Sequence, residues 1–194
     1  MTRVNHQIEL CSLSRRSRQS GLGIIEVLIA LVIVSLGVLG MASLQLTGMQ
    51  HSTGGLNRSK ALLYAENMAA RMRVNRDGAQ ADAYASLDSA TVNCGTQPAP
   101  YCQAHPGGTG AQCSLGELAT FDFHVVSCGD WGSGGAQDGV VGGLPNGAIT
   151  VNCDDATCTP TSTHTISVTW VEGQIATTDR DDVVTRRVQI RLQP

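Results

Sequence analysis

Residues 21–46, GLGIIEVLIALVIVSLGVLGMASLQL, hold one charged side chain, Glu26, among apolar, small or weakly polar neighbours. From Val27 onward twenty consecutive residues carry no charge. At helical rise they cover about 30 Å, the thickness of a bilayer's hydrocarbon core. The stretch therefore predicts a membrane helix. Arg3, Arg15, Arg16 and Arg18 precede it, opposed only by Glu9, so the N-terminus is expected in the cytoplasm and the C-terminal body outside. A secretory signal has a shorter apolar core followed by a small-residue cleavage site. The residues after 46 offer no such site, and a cut there would leave Glu26 unexplained.

Beyond the apolar run, residues 56–73, LNRSKALLYAENMAARMR, place Leu56, Leu62, Leu63, Ala65, Met68, Ala69 and Met72 at spacings that build one helical face. Arg58, Lys60, Glu66, Arg71 and Arg73 flank it. The pattern predicts that the membrane helix continues as an amphipathic helix, one side packed on a domain. A single helix over residues 22–73 would extend about 78 Å. Gly54 and Gly55 fall within it, and each costs about 1 kcal/mol relative to Ala in a helix interior, so a kink or frayed turn is expected there.

Residues 77–120 are rich in Gly, Pro, Ala, Ser and Asp and show no strong period, which reads as connecting loops with a short helix near residues 82–87. Four strand candidates follow, at residues 121–128, 148–153, 164–171 and 183–192. Ile166, Val168 and Trp170 share one face, as do Val184, Arg186, Val188, Ile190 and Leu192, the register of a sheet buried on one side. The expected fold is α+β, a long N-terminal helix packed on a small antiparallel β-sheet. Its divisions are a leader over residues 1–21, the membrane half of the helix over 22–53, the amphipathic half over 54–76, the connecting region over 77–120 and the sheet region over 121–194.

Of seven cysteines, only Cys11 precedes the apolar run; Cys94, Cys102, Cys113, Cys128, Cys153 and Cys158 follow it. Six thiols delivered to an oxidising compartment favour three disulfides. No CxxC pair occurs and the spacings match no zinc-ligand pattern, so a zinc site or buried free thiols are the weaker readings. Six cysteines allow 15 pairings; Cys153 with Cys158 attracts notice only for its short loop.

The chain carries a net charge of −3, and the first 21 residues hold a surplus of three positive charges, leaving six negative on the rest. An acidic body without grouped Lys and Arg is a poor partner for nucleic acid. No catalytic constellation emerges: His124 and His164 fall in expected strands, His51 and His105 in exposed helix or loop, and no serine sits in a GxSxG turn. The acidic clusters Asp154 with Asp155, and Asp179 with Asp181 and Asp182, lack the spacing of a calcium loop and read as solvated turns. No metal ligand set and no cofactor are expected.

The junction Gly21-Leu22-Gly23-Ile24-Ile25-Glu26, between basic leader and apolar helix, resembles the prepilin motif of the type IV pilins. The resemblance implies that a prepilin peptidase cuts after Gly21 and methylates the new amino group of Leu22, where the family most often has Phe. It gives Glu26 a purpose: an ionised carboxylate within a bilayer segment costs several kcal/mol unless paired, and in pilins its partner is the α-amino group of an adjacent subunit. Major pilins usually carry a Pro where this chain has Ser43. IEVLIALVIVSLGVLGMASLQ and the later LLYAENMAARMRVNRDGAQADAY instead resemble minor pilins of the PilV type. That likeness implies a non-enzymatic subunit of the pilus fibre, near its tip. It sits in the inner membrane before assembly and on an extracellular fibre afterwards. Its partners would be the prepilin peptidase, other minor pilins, the major pilin and a tip adhesin. A type II secretion pseudopilin shares every requirement of the N-terminus, and an uncleaved bitopic sensor or binding domain would keep the helix without the cut.

Overall fold

The computed structural model describes residue 21 and residues 23–104, 108–131, 138–173 and 183–194. The chain divides into two compact units, Met1–Gly48 and Met49–Pro194. Helix α1, Ile24–Val74, contributes residues to both.

In the first unit α1 is apolar on every side. Ile24, Leu28, Leu36 and Leu39 are all more than half exposed, and the most apolar stretch of α1 has a mean hydropathy of 2.7 with none of it buried. Such a surface is stable only in an apolar solvent. Two of its polar side chains bond within the helix: Ser35 donates to the Leu31 and Val32 carbonyls, and Thr47 donates to that of Ser43.

In the second unit the strands β1 (Ser86–Asp88), β2 (Ala148–Cys153), β3 (His164–Gly173) and β4 (Val183–Leu192) form one antiparallel sheet in the order β1-β2-β3-β4. Register sets Val151 opposite Ile166, and Ile166 opposite Ile190, so the alternation in each strand delivers its branched residues to one face. That face closes a core with Ala61, Ala65, Met68, Ala69 and Met72 of α1. Three alanines and two methionines make up the contribution of α1 to this core, the methionines supplying flexible bulk. Leu56, Leu62 and Leu63, expected on this face, are instead 55%, 42% and 64% exposed.

Three further expectations need correcting. Residues 121–128 are the end of a helix, α3 (Leu115–Cys128), and not a strand. Ser114 and Glu117 form a complete capping box at its start, and Gly129, at φ 102°, ends it in a conformation that glycine alone adopts without strain. Residues 82–85 are a turn leading into β1, which takes in residues 86 and 87, while the short helix, α2, lies earlier at Arg76–Gln80. The sheet therefore recruits a strand from before residue 121. Finally, α1 runs through Gly54 and Gly55 without interruption. The carboxylate of Glu172 on β3 lies 3.5 Å from where a Gly54 Cβ would stand, an ordinary van der Waals contact, and nothing lies within 4 Å at Gly55, so neither glycine is required by packing among the described residues. A last short helix, α4 (Val140–Gly143), precedes β2.

Candidate functional site

The expected processing and assembly residues lie in the first unit. Gly21 is exposed, with nothing within 4 Å of where a Cβ would be; Leu22 lies outside the described residues. The Gly23 carbonyl accepts the amides of Glu26 at 3.0 Å and Val27 at 3.3 Å, which starts α1. Glu26 thus occupies the first turn, where unpaired helical N–H groups favour a negative charge. Its carboxylate has no hydrogen bond or ion pair among the described residues. The described residues therefore show an exposed glycine followed, in the first turn of an apolar helix, by an acid without a partner.

The second unit holds two polar arrangements that sequence reasoning did not find. Asp122 of α3 accepts Arg71 Nη1 of α1 at Oδ1 and the Tyr84 hydroxyl at Oδ2, each at 2.8 Å. Asn75 Nδ2 donates to the Tyr84 oxygen at 3.1 Å and to the Leu115 carbonyl at 2.9 Å. Burial and the adjacent Asp122 charge push the Tyr84 hydroxyl far above its ordinary pKa, so it stays a donor.

The other arrangement surrounds His164, the first residue of β3. Its imidazole is fully buried, and neither ring nitrogen has a hydrogen-bond partner. Burial lowers its pKa, against the opposing pull of Asp154 and Asp82, and keeps the ring neutral. The sulfurs of Cys153 and Cys158 and a ring nitrogen of His164 lie within 4.8 Å of one another. His124, expected in a strand, is on α3 and places Nε2 3.4 Å from the Asn93 carbonyl.

All six cysteines of the body are bridged: Cys94 to Cys128, Cys102 to Cys113 and Cys153 to Cys158, with Cα separations of 5.2, 5.7 and 6.1 Å. The first ties the C-terminal residue of α3 to the loop after β1. The second closes the loop that leads into α3. The third clips the turn between β2 and β3. His105 and the acidic residues Asp179, Asp181 and Asp182 lie outside the described residues.

Residues 16–42 match the model of the prokaryotic N-terminal methylation motif, and residues 43–124 match that of the type IV pilin Tt1218 family. The two matches support a type IV pilin. The methylation motif contains Gly21, Leu22 and Glu26, and implies processing by a prepilin peptidase and assembly with other pilins. The pilin match spans the rest of α1, β1 and most of α3, including Arg71, Tyr84 and Asp122. A long apolar N-terminal helix with a small antiparallel sheet is the pilin fold, and the motif with this helix fits membrane anchoring and incorporation into a pilus. Neither a curated protein nor a solved structure matches the chain.

Proposed function

We propose that this chain is a minor pilin of the PilV type, cut after Gly21, methylated at Leu22 and built into a type IV pilus near its tip. The observation that carries the reading is Glu26, the lone carboxylate in the apolar half of α1, in its first turn and five residues past an open glycine. The cut creates an α-amino group at Leu22. In a fibre the Glu26 carboxylate of one subunit neutralises that group on a neighbour. An intramembrane charge costs about 3 kcal/mol, so docking that pairs it is favoured and docking that leaves it unpaired is opposed. The missing Pro at Ser43 and the helix running on to Val74 support the PilV branch over a major pilin.

Mass spectrometry of the mature chain tests the first half of the proposal: its N-terminus is N-methylated Leu22. A chain that keeps Met1 in cells with active prepilin peptidase removes it. The second half is tested by Glu26→Ala, which leaves membrane insertion intact and lowers recovery in sheared fibres on the order of tenfold or more. Recovery with a secretion pseudopilus and not with pili would assign the chain to the pseudopilins.

A further inference from the structure

We propose that Cys153, Cys158 and His164 form a redox-gated site for a soft divalent cation of the zinc type. The third donor distinguishes this pair from the other two bridges. Residue 158 follows residue 153 after a turn, and the register of β2 with β3 sets His164 directly opposite Cys153. The imidazole is 0% exposed with both nitrogens unpartnered. A buried neutral imidazole left without any hydrogen bond costs about 1–3 kcal/mol, which a bound cation would offset at one nitrogen. Tetrahedral zinc, with bonds of about 2.0–2.3 Å, holds sulfur and nitrogen donors about 3.5–3.8 Å apart. The three ligand atoms already lie within 4.8 Å of one another.

Two thiolates and a neutral imidazole cancel the charge of a divalent ion, which suits a buried position. Cys153 is half-buried and gives access from the surface, where Asp154 and Asp155 are exposed. Water completes the fourth position.

Bridge and metal site are alternative states. A dithiol supplies two electrons and two protons, becoming a disulfide itself, and opens Cys153–Cys158 to two thiols. Cation binding displaces their two protons to solvent. A second disulfide accepts two electrons from the paired thiolates and two protons from solvent, becoming a dithiol, and the Cys153–Cys158 bridge re-forms and expels the ion. The chain therefore takes up the cation before oxidation or under reducing conditions, and releases it when the clip closes.

The test uses the detergent-solubilised full chain, oxidised or reduced by a dithiol under anaerobic conditions, with Co²⁺ as the spectroscopic probe. The reduced chain binds one Co²⁺ with a thiolate-to-metal charge-transfer band; the oxidised chain binds none. His164→Gln and Cys153→Ser each reduce that band by more than half. A band unchanged in both variants, or one given by the oxidised chain, overturns the proposal. Alkylation of the reduced wild-type chain guards against variants that fail to fold. Zn²⁺ slows modification of Cys153 and Cys158 at least tenfold and leaves the other five cysteines unchanged. Equal rates at all seven, with and without Zn²⁺, also overturn it.

Discussion

Tyr84 donates its hydroxyl to Asp122 at 2.8 Å while Arg71 holds the other carboxylate oxygen at the same distance, so one carboxyl group joins α1, α3 and the turn before β1. Asp122 is nearly buried and Arg71 a quarter exposed. Asp122→Ala strands a hydroxyl donor and a partly buried guanidinium, and is expected to destabilise the second unit by about 2–3 kcal/mol. Tyr84→Phe removes one hydrogen bond to that carboxylate, leaves its Arg71 partner in place, and costs about 1.5 kcal/mol. Urea midpoints of the detergent-solubilised chain measure both, and equal losses would contradict the ranking.

That network separates what was legible in the sequence from what was not. Gly21, Leu22 and Glu26 were readable because their meaning is local, a junction of charge, glycine and apolar run within a few residues. Strands β2, β3 and β4 were readable because one buried face imposes strict alternation. Helix α3 was not: Phe121, Asp122, Phe123, His124, Val126, Ser127 and Cys128 are all buried, so no polar face marks a helical period. The signal was upstream, in the capping pair of Ser114 and Glu117. The buried stripe of α1 was legible at Ala65, Met68, Ala69 and Met72 but not at its edge, where Ala61 is buried and Leu62 and Leu63 are exposed, because spacing alone places all of them within one broad face. Arg71 and Tyr84 meet Asp122 across 51 and 38 residues, and only the fold brings them together.

The three bridges close loops of unequal length, with sequence separations of 34, 11 and 5. Loop-closure entropy then ranks their contributions at about 4, 3 and 2 kcal/mol. Non-reducing peptide mapping should recover these three pairs. Paired Ser substitutions should lower stability most for Cys94 with Cys128 and least for Cys153 with Cys158. The reverse order would place the stabilisation in native contacts around the bridges and not in the unfolded chain.

The cap of α3 predicts a dependence on acid. The Glu117 carboxylate accepts the Ser114 amide and hydroxyl, each at 2.8 Å, and these bonds hold its pKa below the ordinary value of 4.5. A carboxyl group lowered on folding stabilises fully above its unfolded pKa and loses that contribution as pH falls through the folded value. Glu117→Gln, which keeps an acceptor and removes the titration, should therefore be less stable than wild type at about pH 6. The gap should narrow as pH falls below the ordinary glutamate range. Denaturation midpoints across that range measure it, and a gap that widens in acid would reverse the sign of the linkage.

The outer face of α1 separates folding from assembly. Leu63 is 64% exposed, while Ala65, two residues on, is 0% exposed beneath the sheet. If neighbouring subunits cover Leu56, Leu62 and Leu63 in a fibre, each leucine contributes about 1.5–3 kcal/mol to docking and little to the isolated fold. Leu63→Asp should then shift stability by no more than about 0.5 kcal/mol while lowering recovery in sheared fibres on the order of tenfold. Ala65→Leu should do the opposite first, overpacking the core at a cost of about 1–3 kcal/mol. Unfolding midpoints paired with fibre recovery distinguish the two. Normal incorporation of Leu63→Asp would mean that this face stays open to solvent in the fibre, leaving Glu26 and the apolar half of α1 to carry docking alone.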